Sequence, residues 1–300
     1  MWTMIPEIKK RLKKFTPKPI FKAIYILYAF SFSYIVKSTR YLYVSLFFKS
    51  PTVITIRDTE LKLLIDPTNG YTDKNLFLFK ERDVELTELM KKHITRGDTI
   101  IDVGANIGYE TIWGAHLVGK SGHVYSFEPL KKLVDQIQVS LSENKFENVT
   151  IISKAVGEKS GEIAIYSHPE DAGLTSVENK AGATDSTVVP ITTLDQELGS
   201  INSVSFIKID IEGYEFEALQ GGKNLIEKYH PYIVFEFTSS LYEQAREGKS
   251  KELLFYLMDM GYTVSVLGEQ HSIAKDSVES FVDSMLQDNK MVNMVAEYIS

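Results

Sequence analysis

Asp98-Thr99-Ile100-Ile101-Asp102-Val103-Gly104-Ala105-Asn106-Ile107-Gly108-Tyr109-Glu110-Thr111 is the stretch on which the fold turns. Thr99 to Val103 is a short, apolar, β-branched run of the kind that makes a buried parallel strand. Gly104 to Gly108 follows as a turn, and a helical pattern starts at Tyr109. Strand, glycine loop and helix together predict an open α/β sheet. In such sheets ligands bind at the carboxyl edge of the first strand, beside the helix N-terminus.

What the loop lacks narrows the ligand. A dinucleotide loop needs Gly-x-Gly-x-x-Gly so that backbone can approach a pyrophosphate. Counted from Gly104, glycine is required at 106 and 109, where the chain has Asn106 and Tyr109. Gly104 and Gly108 still allow close approach, and Asn106 adds an amide. This suits an amino-acid or nucleoside ligand without phosphates, and S-adenosylmethionine is such a ligand. The second strand, His123 to Phe127, ends in Glu128, where an acidic group binds ribose hydroxyls. Ala155, just past a third strand read over 149 to 154, stands where an adenine would lie.

Phe206 to Glu217 is the second informative stretch. Ile207, Ile209 and Ile211 alternate with Lys208, Asp210 and Glu212, so a strand here sets three charges on one face. Buried charges need partners or a purpose. Glu236, near the carboxyl end of the strand Tyr232 to Phe237, adds a fourth charge at the same sheet edge. These oxygens are also the one alternative cation site. With no cysteine and no histidine pair at ligand spacing, no thiolate or imidazole metal site is expected.

Charge divides the 300 residues unevenly. Positions 1 to 50 carry ten Lys or Arg against Glu7, and their +9 within a net −7 leaves −16 on the rest. An acidic body argues against a nucleic-acid partner. Seven Lys or Arg between residues 7 and 22 precede the uncharged stretch Ala23 to Val36, which carries Tyr25, Tyr28, Phe30, Phe32 and Tyr34. Fourteen uncharged residues fall short of the roughly 20 needed for a span. Basic and aromatic groups together read as a segment lying on a membrane surface. Helices packed on the body and a true span are the alternatives. The expected organisation is residues 1–50 as this segment, 51–96 as a hairpin and lead-in helix, and 97–300 as the catalytic domain. The expected location is cytoplasmic, with contact at the inner face of a membrane through residues 1–50.

Two patterns mislead. Gly114, Gly119, Lys120 and Ser121 fit a phosphate-binding P-loop, but they close a helix and lead into a strand, the reverse of the order that motif requires. Asn148-Val149-Thr150 is a glycosylation triplet by pattern alone. Residues 167 to 187, rich in Gly, Ser, Thr and Asp, read as a long loop able to cover a site.

Asp102-Val103-Gly104-Ala105-Asn106-Ile107-Gly108, Phe127-Glu128-Pro129 and Lys208-Ile209-Asp210-Ile211-Glu212-Gly213, in that order, resemble the FkbM family of S-adenosylmethionine-dependent methyltransferases. Thr193-Leu194-Asp195 and Gly173 to Ser176 add to a likeness that covers about residues 75 to 298. The resemblance implies an α/β class I methyltransferase (Rossmann-like) fold, with a seven-stranded, mostly parallel sheet whose last strand is antiparallel. The basic aromatic N-terminal extension lies outside it. It also implies O-methylation of a hydroxyl on a sugar, glycan or other natural product. The cofactor side is then Asp102, Gly104, Ala105, Asn106, Gly108, Glu128 and Ala155. Catalytic roles fall to Asp210 as base or acceptor-positioner, Glu212 and Glu236 as site carboxylates, and Lys208 as the cation that keeps them ionised. A nicotinamide-linked sugar oxidoreductase and a non-catalytic membrane-associated binding module are the rival readings.

Overall fold

The computed structural model describes residues 39, 41, 43, 44, 46–168, 171–176 and 185–299. The chain forms two compact units, Met1–Ser50 and Pro51–Ser300. The basic aromatic segment lies for the most part outside the described residues. Among the described residues no helix is long and apolar enough to cross a membrane.

Seven strands form the central sheet of the second unit: β3 (Thr99–Val103), β4 (His123–Phe127), β5 (Val149–Ile152), β10 (Phe206–Ile209), β11 (Tyr232–Thr238), β12 (Tyr262–Val266) and β13 (Met291–Tyr298). Their order is β12-β13-β11-β10-β3-β4-β5. β13 runs antiparallel to both its neighbours, and the other pairings are parallel. The seven-stranded, mostly parallel sheet with its antiparallel last strand is therefore present. The chain leaves β3 in one direction to build β4 and β5, and later returns on its other side with β10. That reversal opens a crevice at the carboxyl ends of β3 and β10.

The central strands bury apolar side chains on both faces because helices cover both. On one face Ile101, Val103, Ile207 and Ile209 pack with Leu194, Leu198, Phe216, Leu219, Leu254 and Leu257. These come from α5 (Leu194–Leu198), α6 (Glu215–Gly221) and α9 (Lys249–Asp259). On the other, Ile100, Val124 and Phe206 meet Met90, Ile112 and Ile137. Those belong to α2 (Val84–His93), α3 (Tyr109–Val118) and α4 (Lys131–Asn144). α7 (Lys223–Tyr229), α8 (Ser239–Ala245) and α10 (Val278–Asp288) complete the helices around the sheet.

β1 (Thr52–Thr55) and β2 (Lys62–Ile65) pair antiparallel as the hairpin read within 51–96. Its free edge is closed by side chains of α4. Ser140 Oγ accepts from Leu64 N at 2.9 Å, and Gln136 Nε2 donates to Leu64 O at 2.8 Å. Asn144 both accepts from Lys62 N (2.8 Å) and donates to Lys62 O (2.6 Å). An amide that satisfies both backbone groups of one residue stands in for a third strand.

Three expectations change, and one helix is added. β10 stops at Ile209, so Asp210 and Glu212 occupy the turn beyond the strand rather than one pleated face. The third strand ends at Ile152, and Ala155 opens β6 (Ala155–Val156) of a second sheet. The second sheet is ordered β6-β9-β7-β8, and its β7 (Gly161–His168) covers a strand read over 162–166, but the segment read as a long loop supplies β8 (Asp171–Ser176) and the start of β9 (Asp185–Thr192). α1 (Tyr71–Phe79) was not anticipated. The false P-loop is packing and capping. A Cβ on Gly114 would lie 2.4 Å from Ile100 Cδ1, and Asn148 Nδ2 donates to the carbonyls of Ala115 (3.0 Å) and Gly119 (2.9 Å) at the end of α3.

Candidate functional site

A cavity of about 230 Å³ opens at the crevice, lined by Gly104, Asn106, Glu128, Lys154, Ala155, Asp210, Glu212, Tyr214, Glu236 and Arg82 among others. Of the residues assigned to the cofactor, Gly104, Asn106, Glu128 and Ala155 are in this lining. Asp102, Ala105 and Gly108 stand behind it. Asp102 is buried and accepts from Thr111 Oγ1 at 2.5 Å, Ala105 is buried, and Gly108 packs on Ile137 where α3 begins. All four proposed acceptor-side residues are brought to the same edge, and Asp210, Glu212 and Glu236 face the cavity.

The glycine loop is stitched to its surroundings by backbone. Gly104 N and Ala105 N both donate to Phe127 O at 3.0 Å, and Asp210 N donates to Val103 O at 3.1 Å. Gly104 has φ +78°, and a Cβ there would lie 1.9 Å from the Asp210 carbonyl oxygen. The glycine is thus needed for the approach of two loops as well as for ligand access. Lys208 ties the same two loops by charge. Its Nζ donates to Gly104 O at 2.7 Å and lies 3.2 Å from Asp102 and 3.8 Å from Asp210. Burial disfavours its charge, but Asp102, Asp210 and Glu110 more than offset that and hold it above its ordinary value. Lys208 therefore positions the loops. Removing it would strand Asp102, a loss of about 3–5 kcal/mol for a broken buried pair.

Glu128, at the end of β4, is buried, and its two oxygens accept from Asn106 N and Leu130 N, each at 2.9 Å. Burial pushes its carboxyl up to about 7, against the pull of those two donors. Glu236 is only 9 % exposed and is pushed up to about 10, first by burial and then by Asp210, Glu212 and Glu215. Burial and the three neighbouring carboxyls thus oppose its ionisation, and the charge of Lys208 acts against them.

Several site residues carry no motif that picks them out. Arg82 lies 2.6 Å from Asp83 and 3.7 Å from Glu110. It follows the unanticipated α1, in a segment without periodicity. Glu215 is fully buried and accepts from Ile211 N (2.9 Å), Gly213 N (3.0 Å) and the Tyr242 hydroxyl (2.8 Å). It shapes the turn that carries Asp210 and Glu212, the latter with φ +57°. An acidic residue in the first turn of a helix, two positions after Gly213, was the available signal. Lys249 clamps the same turn, donating to Gly213 O at 3.1 Å and pairing with Glu217 at 2.9 Å.

The lining is acidic. Glu128, Asp210, Glu212 and Glu236 outnumber Arg82 and Lys154, and both cations are already paired, Arg82 with Asp83 and Lys154 with Glu197. Such a cavity favours a cationic ligand and disfavours a pyrophosphate. Residues 102–264 match the Methyltransferase FkbM domain, more than half of the chain. The chain belongs to the FkbM methyltransferase family. Its cofactor is S-adenosylmethionine, and the residues of the FkbM site fit that group: a glycine cradle that a Cβ would fill, and a buried carboxylate at the ribose position of the sheet.

Among relatives of this FkbM chain, the hexuronic acid methyltransferase AglP of Haloferax volcanii is 26% identical over 156 residues, covering 51% of this chain and 61% of that protein. A protein-L-isoaspartate O-methyltransferase of Methanococcoides burtonii is 36% identical over 67 residues, 22% of this chain and 32% of that protein. The chain thus spans about a third of the length of the first such relatives. The crystal structure of an FkbM methyltransferase from Methylobacillus flagellatus KT aligns with 16% identity and a TM-score of 0.42, covering 74% of this chain and 52% of that one.

Proposed function

We propose that this protein transfers a methyl group from S-adenosylmethionine to a hydroxyl of a sugar or glycan. The observation that carries this reading is the meeting of Asp210, Glu212 and Glu236 beside the Gly104 loop and Glu128 in one acidic cavity. When bound, the cofactor would supply an electrophilic methyl group and a neutral thioether leaving group to accept the C–S electron pair. The chain's own task is to hold the acceptor oxygen in line and to take its proton. Asp210, with a side chain 29% exposed and Lys208 3.8 Å behind it, is placed to do both. Glu128 holds the nucleoside end by its position beside Asn106 and Leu130.

The likeness to a hexuronic acid methyltransferase supports a sugar acceptor. The acidic lining gives no support to a nicotinamide-linked oxidoreductase. The test is transfer of labelled methyl from S-adenosylmethionine to a panel of uronic-acid and neutral glycans. Asp210→Asn is expected to lower kcat at least tenfold while cofactor affinity changes less than threefold. Unchanged turnover would make Asp210 structural.

A further inference from the structure

One carboxylate oxygen from each of Asp210, Glu212 and Glu236 lies within 4.8 Å of the other two. Three carboxyl groups at that spacing cannot all carry their charge without a counter-ion among them. A separate observation concerns Glu236. It is nine-tenths buried, it lies in the cavity lining, and its Oε2 has no hydrogen-bond partner. A buried oxygen without a donor costs about 1–3 kcal/mol, more for a charged group, so native proteins keep such atoms where a ligand satisfies them. Lys208, 3.8 Å from Asp210, is shared with Asp102 and the Gly104 carbonyl, and Arg82, also in the lining, is paired with Asp83.

We propose that Asp210, Glu212 and Glu236 bind a hard divalent cation of the magnesium or manganese class, which draws the acceptor's oxygen to the mouth of the cavity. The donor set decides the class. Three carboxylates with no nitrogen or sulfur suit a cation that takes oxygen ligands and fills its remaining positions with water or substrate. An ion here satisfies Glu236 Oε2 and removes the mutual repulsion of the cluster. A carboxylate that ligates through one oxygen keeps its second, so Asp210 can still accept the acceptor's proton. A metal-held acceptor also gives the site a means of taking an anionic sugar despite its acidic lining. This deepens the methyltransferase reading and rests on it for the role of the cation, though not for its binding.

The test measures Mn²⁺ binding to the full chain, freed of metal by chelation, by electron paramagnetic resonance with no acceptor present. Titration of S-adenosylmethionine into the same metal-free protein reports separately on the cofactor site. The expected result is one Mn²⁺ per chain, displaced by excess Mg²⁺, with affinity lowered at least tenfold in Glu236→Gln and in Glu212→Gln. Glu212 is only half-buried, so its variant is read even if Glu236→Gln misfolds. No binding at millimolar Mn²⁺, or binding unchanged in the two variants, overturns the cation site. Cofactor binding that persists in that case leaves the methyltransferase reading standing.

Discussion

Glu128 and Glu215 are two buried carboxyls pushed up to about 7 by burial, each holding backbone N–H groups that define a loop of the site. The ordinary value is 4.5, so between that and about 7 the unfolded chain has released a proton that the folded chain keeps. Stability should therefore fall as pH rises through this window. Glu215→Gln keeps an acceptor for Ile211 and Gly213 but removes the titration. It should abolish on the order of 2–3 kcal/mol of the fall, read from urea unfolding at pH 5 and pH 8. An unchanged difference between the two pH values would place the proton elsewhere. Glu128→Gln should raise the dissociation constant for S-adenosylmethionine about tenfold, since the lost interactions are charge-assisted. Glu128 is legible in the sequence because it ends a strand at a fixed distance from the glycine loop. Glu236 is legible as a position but not as a charge state, which depends on three other carboxylates that only the fold assembles around it.

The loop after β3 and the turn after β10 act as one unit, joined by Lys208 and by the contact of Gly104 with the Asp210 backbone. Gly104→Ala should cost at least about 2 kcal/mol of stability, because positive φ and the Asp210 carbonyl both oppose a Cβ. Its effect on turnover should exceed its effect on cofactor affinity, as Asp210 is displaced. Asn144→Ala, which removes both bonds from α4 to Lys62 and leaves those to Leu64, should cost about 1–2 kcal/mol and leave cofactor affinity unchanged. Thermal unfolding beside calorimetry separates the two variants. β3, β4, β10 and β11 are legible because buried parallel strands are runs of β-branched and aromatic residues. α1 is not, since Leu76, Phe77, Leu78 and Phe79 are contiguous and show no helical period, and only Leu76 is fully buried. β7 is legible as the apolar run over 162–166, whereas β8 and β9 are not, in part because Gly, Ser, Thr and Asp dominate 167–187, where backbone pairing with β7 makes the sheet.

At the scale of the whole molecule, an acidic catalytic unit is joined to fifty residues of net charge +9. Tyr43, Leu46 and Phe47 are exposed apolar side chains near the end of that segment. We propose an interfacial role for residues 1–50 on this charge and these side chains, with each basic group near an anionic surface contributing on the order of 1 kcal/mol. The full chain should float with anionic vesicles, and a shortened chain beginning at Thr52 should not. Equal behaviour of the two chains would remove the membrane role. The catalytic unit itself rests on one claim, that its cavity takes a cationic nucleoside and not a dinucleotide. Calorimetric titration of the purified chain with S-adenosylmethionine and, separately, with NAD tests this most directly. One S-adenosylmethionine per chain, with no heat from NAD, is the predicted result. Binding of NAD without S-adenosylmethionine would contradict it.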